Sequence, residues 1–304
     1  MNSNVAASSA METSAVTGSV TLAAVWNRFW FTPADGRPLA LLRIGTASLA
    51  IVLWWSYAPD VLSWFGPAGI LPADAVQQWR SPAGFSLFDA ATTSASLRVL
   101  FGITGITFAA LLVGLGTPVI APVAALLWAS LLHRGPMLVG PADDCLAVLL
   151  WCLAIGPAGQ HISVDGWLRD RAGRPAPGPT LRAGITWGLL QVHASAIAAA
   201  AVLSQLKGDV WWNGSAAWFL AARPAGRLLD LTPLLVRSEY LTNFVTHGVT
   251  AFEIFYAIGL WYMPTQRLVA RAGLVAWPLI GVLAGEPWWG IAMGLFTVPL
   301  AFRR

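Results

Sequence analysis

Eight stretches of predominantly apolar sequence, separated by turn residues, leave this chain few ways to fold. They run from about 38 to 57, 97 to 115, 117 to 133, 144 to 157, 181 to 204, 241 to 262, 267 to 285 and 287 to 302. A helix needs about 20 apolar residues to cross the hydrocarbon core of a bilayer. Inside that core only helices and closed barrels satisfy their own backbone polar groups. The fourth and eighth runs are short enough for re-entrant segments. Charged residues make up 11% of the 304 residues, against about 25% in soluble domains, too few to build a water-facing surface. The expected fold is therefore all-α, a polytopic transmembrane bundle of about eight helices.

The segment 21 to 31 places Leu22, Trp26, Phe29 and Trp30 on one side of a short helix that Pro33 ends, the pattern of a helix lying in the membrane interface. Residues 1 to 20 are small and polar without Lys or Arg, so they lack the basic start of a signal peptide and read as a disordered tail ahead of a single transmembrane domain over 21 to 304. Trp54, Trp55, Trp64, Trp211, Trp212, Trp288 and Trp289 lie near run ends, as an interfacial aromatic belt requires. With the N-terminus inside, the inner segments hold Arg28, Arg37, Arg43, Arg169, Arg171, Arg174, Arg182, Arg267, Arg271, Arg303 and Arg304, and seven basic residues fall outside. The positive-inside rule then puts both termini in the cytoplasm.

Several function classes lose support. The basic residues form no stripe for nucleic acid. Cys145 and Cys152 lie about two helical turns apart in one run, too far to be bridged. There is no HExxH, no phosphate-binding glycine loop and no GxSxG, and four scattered histidines show no metal-ligand spacing. No metal site is expected. Asn213-Gly214-Ser215 matches a glycosylation acceptor, a signal with meaning only in a secretory compartment.

Polar residues inside the runs are the candidates for chemistry, because lipid tolerates them only where they face the bundle or a cavity. Gln191, Ser195 and Gln205 share one face of the fifth run, with Ala198 between them. They either hydrogen-bond neighbouring helices or line a cavity. His193 points away from that face and reads as a packing residue. Glu253 is the only carboxylate deep in the sixth run; the alternative to a functional role is a salt bridge to an arginine such as Arg43. His247 lies about 120° from it around the helix. Asp143 and Asp144, with His133 and Arg134 before them, have the chemistry to hold a cation or an anionic headgroup, but acids and bases at a membrane edge are more often simply solvated.

The ordered set WNRFWFTPADGRPLALLRIG (26 to 45), FGPAGILP (65 to 72), HRGPMLVGPADDCLAVLLWCLAIGPAGQHISVDGWL (133 to 168), QVHASAIAAAAVLSQLKGDVWWNGSAAW (191 to 218) and THGVTAFEIFY (246 to 256) resembles the horizontally transferred transmembrane (HTTM) family, which includes the vitamin K-dependent gamma-glutamyl carboxylases. The resemblance covers nearly all of the chain after residue 25. It implies a helical membrane domain whose carboxylase members use a lysine base to activate reduced vitamin K with oxygen. In the matching slot before Leu206-Lys207-Gly208-Asp209-Val210-Trp211-Trp212-Asn213-Gly214 stands Gln205, and an amide is no general base near neutral pH. Lys207 replaces it only if the helix unwinds there. The aromatic that often precedes the lysine is Ala198 here, and the family's later His and Asn are absent from 277 to 281 and 297 to 299, whereas His247 and Glu253 match. The polar residues of the matching loop segment, Arg134, Asp143, Asp144, Ser163 and Asp165, join the candidates. The carboxylases' large extramembrane domain has no counterpart before Arg304.

Three readings follow. The leading one is a protein that binds or handles a lipid, a quinone-like molecule or a peptide, without the carboxylation chemistry, in a cavity between the fifth, sixth and seventh helices lined by Gln191, His193, Ser195, Gln205 and Trp211. The second is a divergent carboxylase-like enzyme that uses Lys207, His247 or Glu253 as a displaced base, with reduced vitamin K or another quinone as cofactor. The third is a structural partner of another membrane protein. The lipid bilayer is a partner in all three.

Overall fold

The computed structural model describes residues 21–79 and 84–302; the tail expected over 1 to 20, and Arg303 and Arg304, lie outside them. The described residues form α-helices and one 3₁₀ turn, with a lone two-residue bridge as the only β pairing. In chain order the helices are α1 (Leu22–Phe31), α2 (Arg37–Tyr57), α3 (Val61–Phe65), α4 (Ala73–Trp79), α5 (Ser94–Val113), α6 (Thr117–Arg134), α7 (Pro141–Ile155), α8 (Val164–Arg171), α9 (Leu181–Gln205), α10 (Asp209–Trp212), α11 (Ala216–Ala222), α12 (Thr232–Val236), α13 (Glu239–Gly259), α14 (Met263–Ala284) and α15 (Pro287–Ala301).

Helix starts follow local chemistry. Thr21, Thr93, Ser163, Thr180 and Ser238 accept an orphan backbone N–H of α1, α5, α8, α9 and α13. Prolines in the first two positions of α2, α6, α7, α14 and α15 cost no hydrogen bond there. The segments 58 to 96 and 205 to 240, which lie between apolar runs, contain short helices: α3 and α4 with the 3₁₀ turn Leu87–Ala90, and α10 to α12.

Each of the eight apolar runs is a helix, and five of them, α2, α5, α6, α9 and α14, are long and apolar enough to cross a membrane. The other three deviate for physical reasons. Helix α13 is long, but its inward face carries Thr242, Thr246 and Glu253, and its bilayer-like face carries Phe244, Ile254 and Ile258. Helices α7 and α15 have 15 residues each, about 22 Å at 1.5 Å per residue, short of a core about 30 Å thick. Helix α15 is nonetheless the centre of the bundle, packed against α14, α2, α9 and α7. Phe296, Met293 and Leu300 are fully enclosed, and its last turn is met by Arg271, whose Nε donates to the Ala301 carbonyl at 3.3 Å. A helix wrapped in protein need not match the bilayer.

The close approach of α14 and α15 rests on two glycines. A Cβ on Gly290 would lie 2.5 Å from the Trp277 carbonyl oxygen and 2.9 Å from the Gly281 Cα. These are backbone atoms that cannot swing aside. Gly290→Leu is expected to separate the two helices and destabilise the fold by roughly the 1–3 kcal/mol of overpacking or more, read as a lower thermal midpoint in detergent by tryptophan fluorescence on heating; an unchanged midpoint would contradict this packing.

Successive long helices run antiparallel, so the connections gather at two ends. At the α1 end, Ala34 and Thr180 exchange backbone hydrogen bonds at 3.1 and 3.0 Å. At the opposite end, Tyr57 donates to Asp143 and Arg134 donates to the Phe65 carbonyl.

Candidate functional site

The polar stripe of α9 is spent on holding α13 and α14. Gln191 Nε2 donates to the Leu260 carbonyl at 3.1 Å, and Gln266 Nε2 donates both to that carbonyl, at 2.9 Å, and to Gln191 Oε1, at 3.1 Å. One residue on, the Trp261 indole donates to Ser195 Oγ at 2.9 Å. These groups close the α13–α14 turn against the middle of α9. Gln266, missed in the sequence, carries the only side-chain amide in α14, a signal that was there to be read.

Nearly three turns on from Ser195, Gln205 Nε2 donates to Glu253 Oε2 at 2.6 Å and its Oε1 accepts from Thr250 Oγ1 at 2.8 Å. Both Gln205 and Glu253 are buried, the carboxylate side chain almost completely. Thr250, one turn before Glu253, completes the lock. Beyond it stands a closed aromatic cluster: Tyr256 and Trp277 meet edge to face at 5.2 Å, with Phe252 and Trp289 against Trp277 at 5.5 Å each.

The remaining candidates part company here. Glu253 was expected, in its structural alternative, to pair with Arg43; it pairs with Gln205, because Arg43 turns to the α1 end and donates to the carbonyls of Leu111, at 3.2 Å, and Ile162, at 2.5 Å. Helix α9 does end at Gln205, but Lys207 is exposed and its backbone N–H turns back to Ser204. His247 is exposed on the outer face of α13. His193 is half-buried and its Nδ1 bonds the Leu189 carbonyl one turn back on its own helix. Trp211 is half-buried against the core on α10. Neither of two open grooves on the molecule is lined by Gln191, His193, Ser195, Gln205 or Trp211: one, about 210 Å³, lies between α1 and α9 at Trp26, Trp30, Phe31 and Ile185, and the other, about 390 Å³, lies at Arg227, Leu228, Glu286 and Trp288. Gln191, Ser195 and Gln205 are engaged in interhelical hydrogen bonds, one of the two alternatives open for the stripe.

The loop candidates are correspondingly structural. Arg134 and Asp143, read as solvated, are both buried. Arg134 sits 5.8 Å from the Phe65 ring centroid, donates to the Phe65 carbonyl and lies 3.9 Å from Asp89. Asp143 Oδ2 accepts from the Gly140 N–H at 2.8 Å and the Tyr57 hydroxyl at 3.2 Å. The segment containing Phe65 folds back over the helix ends, which run-end position alone does not reveal. Asp144 remains exposed, and so does His133, whose Nδ1 bonds the Phe85 carbonyl. Ser163 caps α8, and Asp165 accepts from the N–H groups of Gly116 and Thr117 at 2.7 Å each, stapling the α5–α6 turn.

No family model, known protein or solved structure matches this chain. The geometry of the α9–α13 pair is what remains to speak for function. Among the described residues no group of three or more His, Cys, Asp or Glu side chains is placed to hold a metal ion, and Cys145 and Cys152 are free and buried.

Beside the stapled turn, His161 is half-buried among Asp35, Arg37, Arg169 and Asp170. Burial first, then the two arginines, hold its imidazole below its ordinary value of 6.5, against the pull of the two carboxylates. A lowered folded value means that the fold takes up this proton less readily than the unfolded chain does. The His161 contribution is therefore complete above pH 6.5 and is lost as pH falls below it. Thermal midpoints between pH 7.5 and 5 are expected to show a small decline that His161→Gln flattens; an identical decline in the variant would remove His161 as its source.

Proposed function

We propose that this chain is a multi-pass membrane protein on an HTTM-like scaffold that binds or handles an amphiphile, a lipid or quinone-like molecule, without vitamin K-dependent carboxylation. The observation that carries the reading is the state of position 205. Where the resemblance calls for a lysine base, Gln205 donates to Glu253 and accepts from Thr250. Both ends of the amide are engaged, and neither can take a proton from a substrate at neutral pH. The displaced bases of the enzyme reading are not gathered around this point: Lys207 and His247 are exposed, and Glu253 is committed to Gln205.

The binding half of the reading draws on the open groove at Arg227 and Glu286, which sets one positive and one negative side chain beside Leu228 and Trp288. A few polar groups fixed among apolar and aromatic ones suit an amphiphile. The test uses purified protein in lipid nanodiscs. Labelled bicarbonate should not enter Glu-containing peptides in the presence of reduced vitamin K and oxygen, under conditions where an active carboxylase works. Titration with a short-chain quinone should quench the tryptophan fluorescence saturably. Label incorporation that is lost in Lys207→Ala would establish the enzyme reading instead, and quenching that rises linearly without saturation would remove the binding one.

A further inference from the structure

The two ends of the bundle differ sharply in charge. Among the described residues the α1 end carries nine arginines, one of them the enclosed Arg43, against three carboxylates, Asp35, Asp165 and Asp170, whereas the opposite end carries six basic residues against nine carboxylates, the buried Glu253 within the bundle aside. The α1 end also holds two helices, α1 and α8, that present apolar side chains outward beside their arginines. On α1, Leu22 is 84% and Trp26 60% exposed next to Arg28. On α8, Trp167 and Leu168 are about half exposed, and the Arg171 guanidinium lies 5.2 Å from the Trp167 ring centroid. Between α1 and α9 runs the apolar groove of Trp26, Trp30, Phe31 and Ile185, and Arg182 stands one turn before Ile185.

We propose that this end is a site for anionic phospholipid, the phosphate headgroup meeting the α1–α8 arginines and an acyl chain entering the α1–α9 groove. Charge complementarity selects the occupant. A zwitterionic headgroup brings no net charge to offset a surface this basic, whereas each arginine near an anionic leaflet adds attraction. The aromatic and aliphatic side chains beside the arginines sit where the headgroup gives way to acyl chains, the depth that amphipathic interfacial helices occupy. A soluble acidic partner would use the charge but leave the exposed Leu22, Trp26, Trp167 and Leu168 in water. The inference does not rest on the state of Gln205 or on the proposed amphiphile handling at the opposite end.

The test is native mass spectrometry of the full chain released from micelles containing equal phosphatidylglycerol and phosphatidylcholine. Retained lipid should be mostly phosphatidylglycerol. Neutralising three exposed arginines, Arg28→Gln, Arg171→Gln and Arg174→Gln, should cut that preference by at least about tenfold, given roughly fivefold for each charge near the surface. Neutralising three at the opposite end, Arg98→Gln, Arg223→Gln and Arg237→Gln, should leave it in place. Ile185→Trp, which fills the groove without touching charge, should lower the amount of lipid retained while keeping the headgroup preference. Equal retention of the two lipids, or a preference lost with the opposite-end arginines and kept without those of α1 and α8, would overturn the proposal. Full retention in Ile185→Trp would overturn its acyl-chain half.

Discussion

Arg43→Met is expected to lower stability by about 3–6 kcal/mol, the scale of two hydrogen bonds from a charged donor lost inside the protein. Arg43 is completely enclosed. Its guanidinium holds together three separate pieces of chain: α2, which carries it, the end of α5 through the Leu111 carbonyl, and the loop before α8 through the Ile162 carbonyl. Ile162 has φ +47°, the left-handed region that a β-branched residue rarely adopts, so the loop needs this tether to stay in place. Methionine matches the length of the aliphatic stem but donates nothing, and the two carbonyls lose their partner. Arg43→Lys, with one compact ammonium in place of a planar fork, should recover part of the loss. Gly114→Ala should be comparably damaging, because a Cβ there would overlap the guanidinium and Gly114 itself sits at φ +72°. Denaturation in mixed micelles would check all three; a wild-type midpoint for Arg43→Met would mean that the tether carries no weight.

How much of this was open to a reader of the sequence depends on the range of the interaction. The helices were legible, since a run of apolar residues and its bounding Gly and Pro are local facts; α5 and α6 appear within a few residues of their expected limits. The inward turn of Gln191, Ser195 and Gln205 was also legible, because 3.6-residue periodicity puts them on one face and lipid excludes them from the other. Their partners were not. Gln205 and Glu253 are 48 residues apart, and whether they touch depends on how far α13 slides along α9, which the buried turn at Leu260 sets. Arg43 misled for the same reason: a buried arginine near a helix end and a buried glutamate invite pairing, but they lie toward different depths of the bundle. The short helix α15 could be measured from sequence, and its central place could not, since it is apolar nearly all round and shows no amphipathic pattern to point inward. Arg134 and Asp143 looked like edge charges because the Phe65 segment that covers them is far away in sequence.

The α9–α13 lock yields to a thermodynamic cycle. Gln205→Leu takes the donor from Glu253 and the acceptor from Thr250, leaving a buried carboxylate alone, a loss of about 1–3 kcal/mol. Glu253→Leu alone leaves the Gln205 amide N–H unpaired and should cost a similar amount. The double variant removes both polar groups, and an apolar pair of similar size is often as stable as the polar one it replaces. It should therefore be less damaging than the two single changes added together, with a coupling within the roughly 0.5–3 kcal/mol seen for contacting residues. Gln205→Lys belongs in the same series, since its ammonium can reach the Glu253 carboxylate and supply the missing donor, so it should fold better than Gln205→Leu. Additive single changes, with coupling near zero, would mean that Gln205 and Glu253 do not depend on one another. Strong coupling, together with binding of a quinone that survives in the double variant, would identify the polar pair as the clasp between α9 and α13 and leave the binding of the amphiphile to other residues.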